Sequence, residues 1–209
     1  MTSRTLKSFA ASLCAALACA AAVGTAIAAD GAKLAEQCFA CHGKNGVSTE
    51  PAIPIIASYS SKYIVETLKN FRSKVRFCAE VTIPSGPKKG TKSDMCKVTA
   101  ELSEADYEPL ARFFESQKFV RVRQPFDAAK AQRGTAVYKL RCEKCHAENG
   151  SSPDEDNGIL AGQWTPYLRD QLAGFRAGRR PIDDKMKQRL DKVTKDEEEA
   201  LLHFFASQQ

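Results

Sequence analysis

Apolar residues are arranged along this chain in two ways. From Phe9 to Val23 they form a run rich in Ala and Leu, with Arg4 and Lys7 before it and Ala26-Ile27-Ala28 after it. A basic start, a short apolar core and a small-residue site predict a secretory signal peptide over 1–28, cleaved after Ala28, and a periplasmic product. The run is shorter and richer in Ala than the roughly 20 strongly apolar residues of a membrane span. An uncleaved anchor and a lipid on Cys19 are the competing readings of this segment.

Further on, apolar positions recur at helical intervals. Tyr63 to Phe71 and Tyr167 to Phe175 carry them at i, i+4 or i+5 and i+8, the stripe of an amphipathic helix. Asp30 to Gln37 and Phe126 to Leu140 also read as helices. Ser103-Glu104-Ala105-Asp106 and Thr194-Lys195-Asp196-Glu197 each offer an N-cap followed by acidic residues, the opening of one more helix apiece. Both of these helices end in aromatic pairs, Phe113-Phe114 and Phe204-Phe205, which are assigned to packing. Val120 to Pro125 alternates charge, has no helical period and ends in a proline that disfavours helix before it, so it reads as a linker.

The chain also matches itself. Shifted by 104 positions, His42 meets His146, Gly46 meets Gly150, Ile55-Ile56 meet Ile159-Leu160, Tyr63 meets Tyr167, Leu68 meets Leu172 and Phe71-Arg72 meet Phe175-Arg176. Beyond that the matching offset is 91: Met95 with Met186, Phe113-Phe114 with Phe204-Phe205, Ser116-Gln117 with Ser207-Gln208. The expected organisation is all-α, two tandem modules related by internal duplication, at 29–119 and 126–209, joined by a linker at 120–125. The first module carries a 13-residue insertion at about 73–94. Modules of about 90 residues bury only a modest core, and a bound apolar group would help fill each.

That group is indicated by Cys38-Phe39-Ala40-Cys41-His42 and Cys142-Glu143-Lys144-Cys145-His146. In C-x-x-C-H the two thiols add to the two vinyl groups of one haem and the adjacent histidine reaches its iron, so the doubled motif predicts two covalently bound haem c groups. A zinc or thioredoxin-like pair is the competing reading of each C-x-x-C, and the repeat weighs against it. The sixth ligand of a c-type haem is usually Met or a second His. After the leader the chain has two methionines, Met95 and Met186, at matched positions, and one further histidine, His203, whose repeat partner is Arg112. His42 with Met95 and His146 with Met186 are therefore the expected axial pairs, and His203 is expected on a helix surface.

The whole exported part of the chain resembles dihaem cytochromes of the cytochrome c4 type. The second half is most similar to the dihaem subunit of flavocytochrome c sulfide dehydrogenase, through Ile159 to Leu168, Phe175-Arg176, Arg179-Arg180-Pro181, Lys185-Met186 and Phe205 to Gln209. That resemblance implies a heterodimer in which a larger FAD-bearing subunit oxidises sulfide, and the haems pass single electrons to a small soluble acceptor. A free-standing dihaem carrier donating to a terminal oxidase shares every haem feature. A dihaem peroxidase would need an iron without a strong sixth ligand, which the matched methionines oppose.

Composition adds little to this picture. The 31 Lys and Arg face 25 Asp and Glu, and two of the cations lie in the leader, so haem propionates would bring the total near neutrality and no nucleic-acid partner is indicated. Arg72, Arg176 and Trp164 are candidate haem-pocket residues; the basic stretch Arg176-Ala177-Gly178-Arg179-Arg180, whose repeat counterpart contains Arg72 and Lys74, reads as binding propionates, as meeting an acidic face of a partner, or as plain solvated surface. Cys78 and Cys96, left over in the insertion, are expected to form a disulfide worth ~3 kcal/mol in the chain-entropy model. A soft-metal site such as Cu(I) is the alternative.

Overall fold

The computed structural model describes residues 31–154 and 156–209. The leader over 1–28, and Glu155 in an acidic loop, lie outside the described residues. Almost all regular structure is helical. In the first half, α1 (31–42) runs through a 3-10 turn at Glu36–Cys38 into Phe39–His42, followed by α2 (Ser61–Arg72), α3 (Met95–Ala100) and α4 (Tyr107–Glu115). In the second, α5 (Ala128–Arg141) precedes α6 (Thr165–Arg176), α7 (Asp184–Leu190) and α8 (Lys195–Ser207). A two-stranded antiparallel hairpin, β1 (Val81–Thr82) and β2 (Lys92–Ser93), lies between α2 and α3. The fold is two tandem cytochrome c-type domains.

Local chemistry sets the helix ends. Ser60 accepts from the Tyr63 amide, Asp127 from that of Lys130 and Asp94 from that of Lys97. Thr194 and Glu197 cap α8 reciprocally. The Ser-Gln pairs that recur in the sequence close the terminal helices. Ser116 and Gln117 both donate to the Phe113 carbonyl, as Ser207 and Gln208 do to Phe204. Such bonds satisfy carbonyls that a helix terminus leaves without partners.

Each half has its own core. Ile64 and Leu68 of α2 pack with Tyr107, Leu110 and Phe114 of α4, and Tyr138 of α5 stacks on Phe204 of α8 at 4.9 Å between ring centroids. The α5–α8 crossing is tight because Gly134 faces the Ala200 carbonyl. A Cβ built at Gly134 would lie 2.2 Å from that oxygen. In the first half Gly31 approaches the Pro109 carbonyl in the same way, with 2.5 Å for the corresponding Cβ.

The duplication is visible in the backbone. Gly46 O accepts from Ile56 and Ala57, and Gly150 O accepts from Leu160 and Ala161. Left-handed residues recur at the 104 offset as Asn45 and Asn149, Ser58 and Gly162, and Lys74 and Gly178. This last pair carries the first register past Arg72, so the inserted stretch begins later than the sequence reading put it. Val120 to Pro125 is not a free linker: Val122 is buried against Ile55 and Ala57, and its N–H donates to Gly162 O at 2.8 Å.

Candidate functional site

The C-x-x-C-H turn of the first half closes α1. Gly43, at φ +73°, ends the helix, and the His42 Nδ1 lies 2.9 Å from the Pro54 carbonyl, which orients the ring. Burial lowers the His42 pKa, opposed by the Pro54 bond, so the imidazole is neutral with a lone pair to offer. Across from it stands Met95, in the first turn of α3 behind the Asp94 cap. Cys38, Cys41, His42 and Met95 line one cavity of about 220 Å³, together with Ile56, Leu68, Phe71, Leu110 and Phe114. Burial, with Cys41 beside it, pushes the Cys38 thiol up to about 12.

The donor set and its walls suit haem c. Two thiols sit one turn apart with a buried neutral imidazole next to them, a thioether lines the same cavity, and most of the remaining lining is apolar, with Arg76 and Arg180 among its polar members. The second half holds the same residue types at the equivalent places. Met186 lies in the first turn of α7 behind Asp183, and burial, followed by the Arg180 charge, takes His146 down to about 4. Burial raises Cys142 to about 11, while Cys145 is exposed. The cavity holding the first set contains none of Cys142, Cys145, His146 and Met186.

Its far wall nevertheless belongs to the second half, through Tyr167, Gln171 and Arg180. Here the halves exchange equivalent contacts. Arg180 donates to the Tyr63 hydroxyl at 2.8 Å, and Arg76 approaches the Tyr167 hydroxyl at 3.4 Å. Each guanidinium lies over the phenylalanine of its own half, Arg76 over Phe71 at 4.6 Å and Arg180 over Phe175 at 4.3 Å. Gln171 Oε1 accepts from both arginines. Among the described residues neither arginine has a carboxylate within 4.0 Å. Enclosed cations of this kind call for anionic partners.

The sequence reading missed Arg76, although Arg76 and Arg180 are 104 positions apart. Following the first register past Arg72 would have found the pair. Arg72 and Arg176, the candidates for propionates, are not among the residues lining the first cavity and are bonded to backbone. Arg72 donates to Thr99 O and Leu102 O, and Arg176 donates to Leu190 O and Val193 O. These four carbonyls match at the 91 offset, so each arginine ties the helix after its C-x-x-C-H turn to the chain following its methionine helix. Their guanidinium groups are occupied by backbone, and Arg176 is also paired with Glu198 at 2.6 Å.

Trp164 stands where the two cores meet rather than in the first cavity, and its indole N–H donates to Ser48 O of the other half at 3.0 Å. His203 is not a free surface residue. Its Nδ1 accepts from the Asp127 amide at 3.0 Å, which leaves the proton on Nε2, 3.3 Å from Glu199. Cys78 and Cys96 are joined by a disulfide, with their Cα atoms 5.7 Å apart.

No protein-family model matches the chain. Cytochrome c4 of Stutzerimonas stutzeri is 33% identical over 156 residues, covering 70% of this chain and 70% of that protein. A thiosulfate dehydrogenase electron acceptor of Stutzerimonas stutzeri strain A1501 is 27% identical over 201 residues, covering 86% of this chain and 87% of that one. The crystal structure of reduced recombinant cytochrome c4 from Pseudomonas stutzeri superposes with a TM-score of 0.69 at 29% identity, over 86% of this chain and 97% of that one. Cytochromes c4 carry two covalently bound haem c groups, which accounts for two C-x-x-C-H turns on two duplicated helical domains. The chain belongs to the cytochrome c4 family and is a dihaem electron-transfer carrier.

Proposed function

We propose that the chain is exported to the periplasm, takes electrons from an FAD-bearing sulfide dehydrogenase subunit in a heterodimer, and passes them singly to a small soluble acceptor. Cys38 and Cys41 hold haem 1, with His42 and Met95 on its iron, and Cys142 and Cys145 hold haem 2, with His146 and Met186 on its iron. When bound, each haem supplies one-electron exchange between ferric and ferrous iron.

The chain's own residues hold and tune the groups. The reciprocal pairing of Arg76 with Tyr167 and Arg180 with Tyr63 supports the reading, because it sets two cations and two phenols where the halves meet, in the lining of the first cavity. These groups are fitted to receive propionates, one of each pair coming from either half, and so to hold the two haems close together. The apolar lining excludes water and so favours the less highly charged ferrous state. Among the described residues no helix is long and apolar enough to cross a membrane. FAD belongs to the partner.

A second reading, with thiosulfate dehydrogenase as the donor, is favoured by the relative described as the electron acceptor of that enzyme. The two are separated by affinity capture of the native protein from periplasm, a flavin assay on what is retained, and reduction of the haems by sulfide or thiosulfate. Retained FAD with sulfide-dependent reduction supports the sulfide dehydrogenase subunit. Thiosulfate-dependent reduction without FAD replaces it with the second reading, and a chain recovered alone, reduced by neither, leaves a free-standing carrier donating to a terminal oxidase.

A further inference from the structure

The two halves differ most between the interface arginine and the methionine. Eighteen residues separate Arg76 from Met95, and five separate Arg180 from Met186. The extra length is largely exposed but is anchored to the first cavity at several points. From Cys78 the chain forms the β1–β2 hairpin, with Val81 opposite Ser93 and Thr82 opposite Lys92, and Ile83 is buried beneath it. At its tip Ser85 Oγ donates to the Ala40 carbonyl at 3.0 Å, and a Cβ on Gly86 would lie 3.5 Å from the Ala40 Cβ. Ala40 is the residue between Phe39 and Cys41 in the first C-x-x-C-H turn, so the hairpin reaches from the methionine side of the cavity to the cysteine side. Cys78, Ala79, Val81, Ser93 and Asp94 all line that cavity.

The root of this strap is fastened twice. The Phe77 N–H donates to Arg179 O in the other half at 2.8 Å, and Cys78 is bonded to Cys96, the residue after Met95. Met95 is in the first turn of a six-residue helix, too short to hold its own position in water. In the second half Met186 has no covalent neighbour of this kind, and Cys145 is exposed where Cys41 is half-buried.

We propose that the Cys78–Cys96 disulfide is the positioning device for Met95, and that haem 1 depends on it for its sixth ligand while haem 2 does not. This rests on the assignment of Met95 and Met186 as ligands. A covalent link one residue from the thioether, closed by a strap that also grips the C-x-x-C-H turn, restricts how far the short helix can swing from the cavity. The second half, in which Met186 has no such link, serves as an internal control within the same chain.

The test compares wild-type holoprotein with the Cys78→Ser, Cys96→Ser double variant. Three quantities are read: the far-red charge-transfer band of methionine-bound ferric haem, carbon monoxide binding to the ferrous form, and the two midpoint potentials. Wild type is expected to show the full band and no carbon monoxide uptake. The variant is expected to lose half of the band, bind about one carbon monoxide per chain and lower one potential, leaving the other in place. Should the variant not fold, folded wild-type protein is reduced with a phosphine, alkylated on the freed thiols, reoxidised at the iron with ferricyanide and measured in the same way. Unchanged spectra after either treatment overturn the proposal, as does equal loss at both haems. Absence of the methionine band from untreated wild type overturns the ligand assignment instead, so the two failures are distinguishable.

Discussion

Gln163 Nε2 donates to the Tyr59 hydroxyl at 3.0 Å, and these two residues occupy equivalent positions of the two halves. The Gln163 amide also bonds Ile55 at both ends, accepting from its N–H at 3.1 Å and donating to its carbonyl at 2.9 Å. Tyr59 makes the reciprocal contact to Ile159 O, at 3.4 Å. Gln163 is 0% exposed, so all of these groups are withdrawn from water.

Gln163→Leu therefore leaves the Ile55 N–H and C=O without partners in a buried interface and leaves the Tyr59 hydroxyl only its bond to Ile159 O. Stability is expected to fall by about 2–4 kcal/mol, given 1–3 kcal/mol for each buried group left unpaired. Denaturant unfolding followed separately at the two haems should then show the halves unfolding apart. A single transition at the wild-type midpoint would show that this amide is not the tie between them.

At the α5–α8 crossing, Gly134→Ala forces a methyl toward the Ala200 carbonyl. Backbone cannot yield there as a flexible side chain could, and a loss of about 1–3 kcal/mol is expected in thermal unfolding of the second half. The first half should melt as before, which differential labelling of the two C-x-x-C-H turns by hydrogen exchange would report.

Arg180→Met removes one of the two guanidinium groups that bridge the halves in the lining of the first cavity. A unit positive charge favours the ferrous state, and at about 10 Å with an effective dielectric of ~20 its removal lowers the potential of a neighbouring haem by some tens of millivolts. Arg180→Lys should retain most of the potential, and the double change with Arg76→Met should lower it further. Potentiometric titration decides the matter, and an unchanged potential in the double variant would count against propionates at this place.

Asp156 joins the halves at the surface. Its carboxylate meets Lys62 at 2.6 Å and Ser60 at 3.0 Å, and these contacts hold its pKa below the usual 3.8. A depressed carboxylate pKa contributes stability that is fully present above 3.8 and lost as pH falls through the lower folded value. The pair is solvent-exposed, so Asp156→Asn should cost at most about 1 kcal/mol at pH 6. That difference should disappear in strong acid, and a deficit that persisted there would have to come from something other than this ion pair.

Much of the fold was legible because duplication prints each structural requirement twice. The Phe-Phe pairs, the Ser-Gln caps and the amphipathic stripes of α2 and α6 are local, period-driven features. The two short methionine helices were not foreseen, since α3 has only six residues, and its Asp94 cap is not matched in register by Asp183 of α7. Arg72 and Arg176 were candidates for propionates on charge alone. A guanidinium can be satisfied by carbonyls far along the chain, and nothing local reveals that choice.

The sequence by itself determined that two haems are attached, where the thiols and histidines lie, which methionines match, and that two helical domains descend from one. These follow from covalent spacing and repetition, which need no knowledge of contacts. The tertiary structure alone decided that Arg76 and Arg180 face each other's tyrosines, that Gln163 replaces Tyr59 in an otherwise reciprocal interface, and that the insertion folds back over Ala40. Those outcomes depend on how two surfaces meet in space, where the partner of a polar group can be a hundred residues distant.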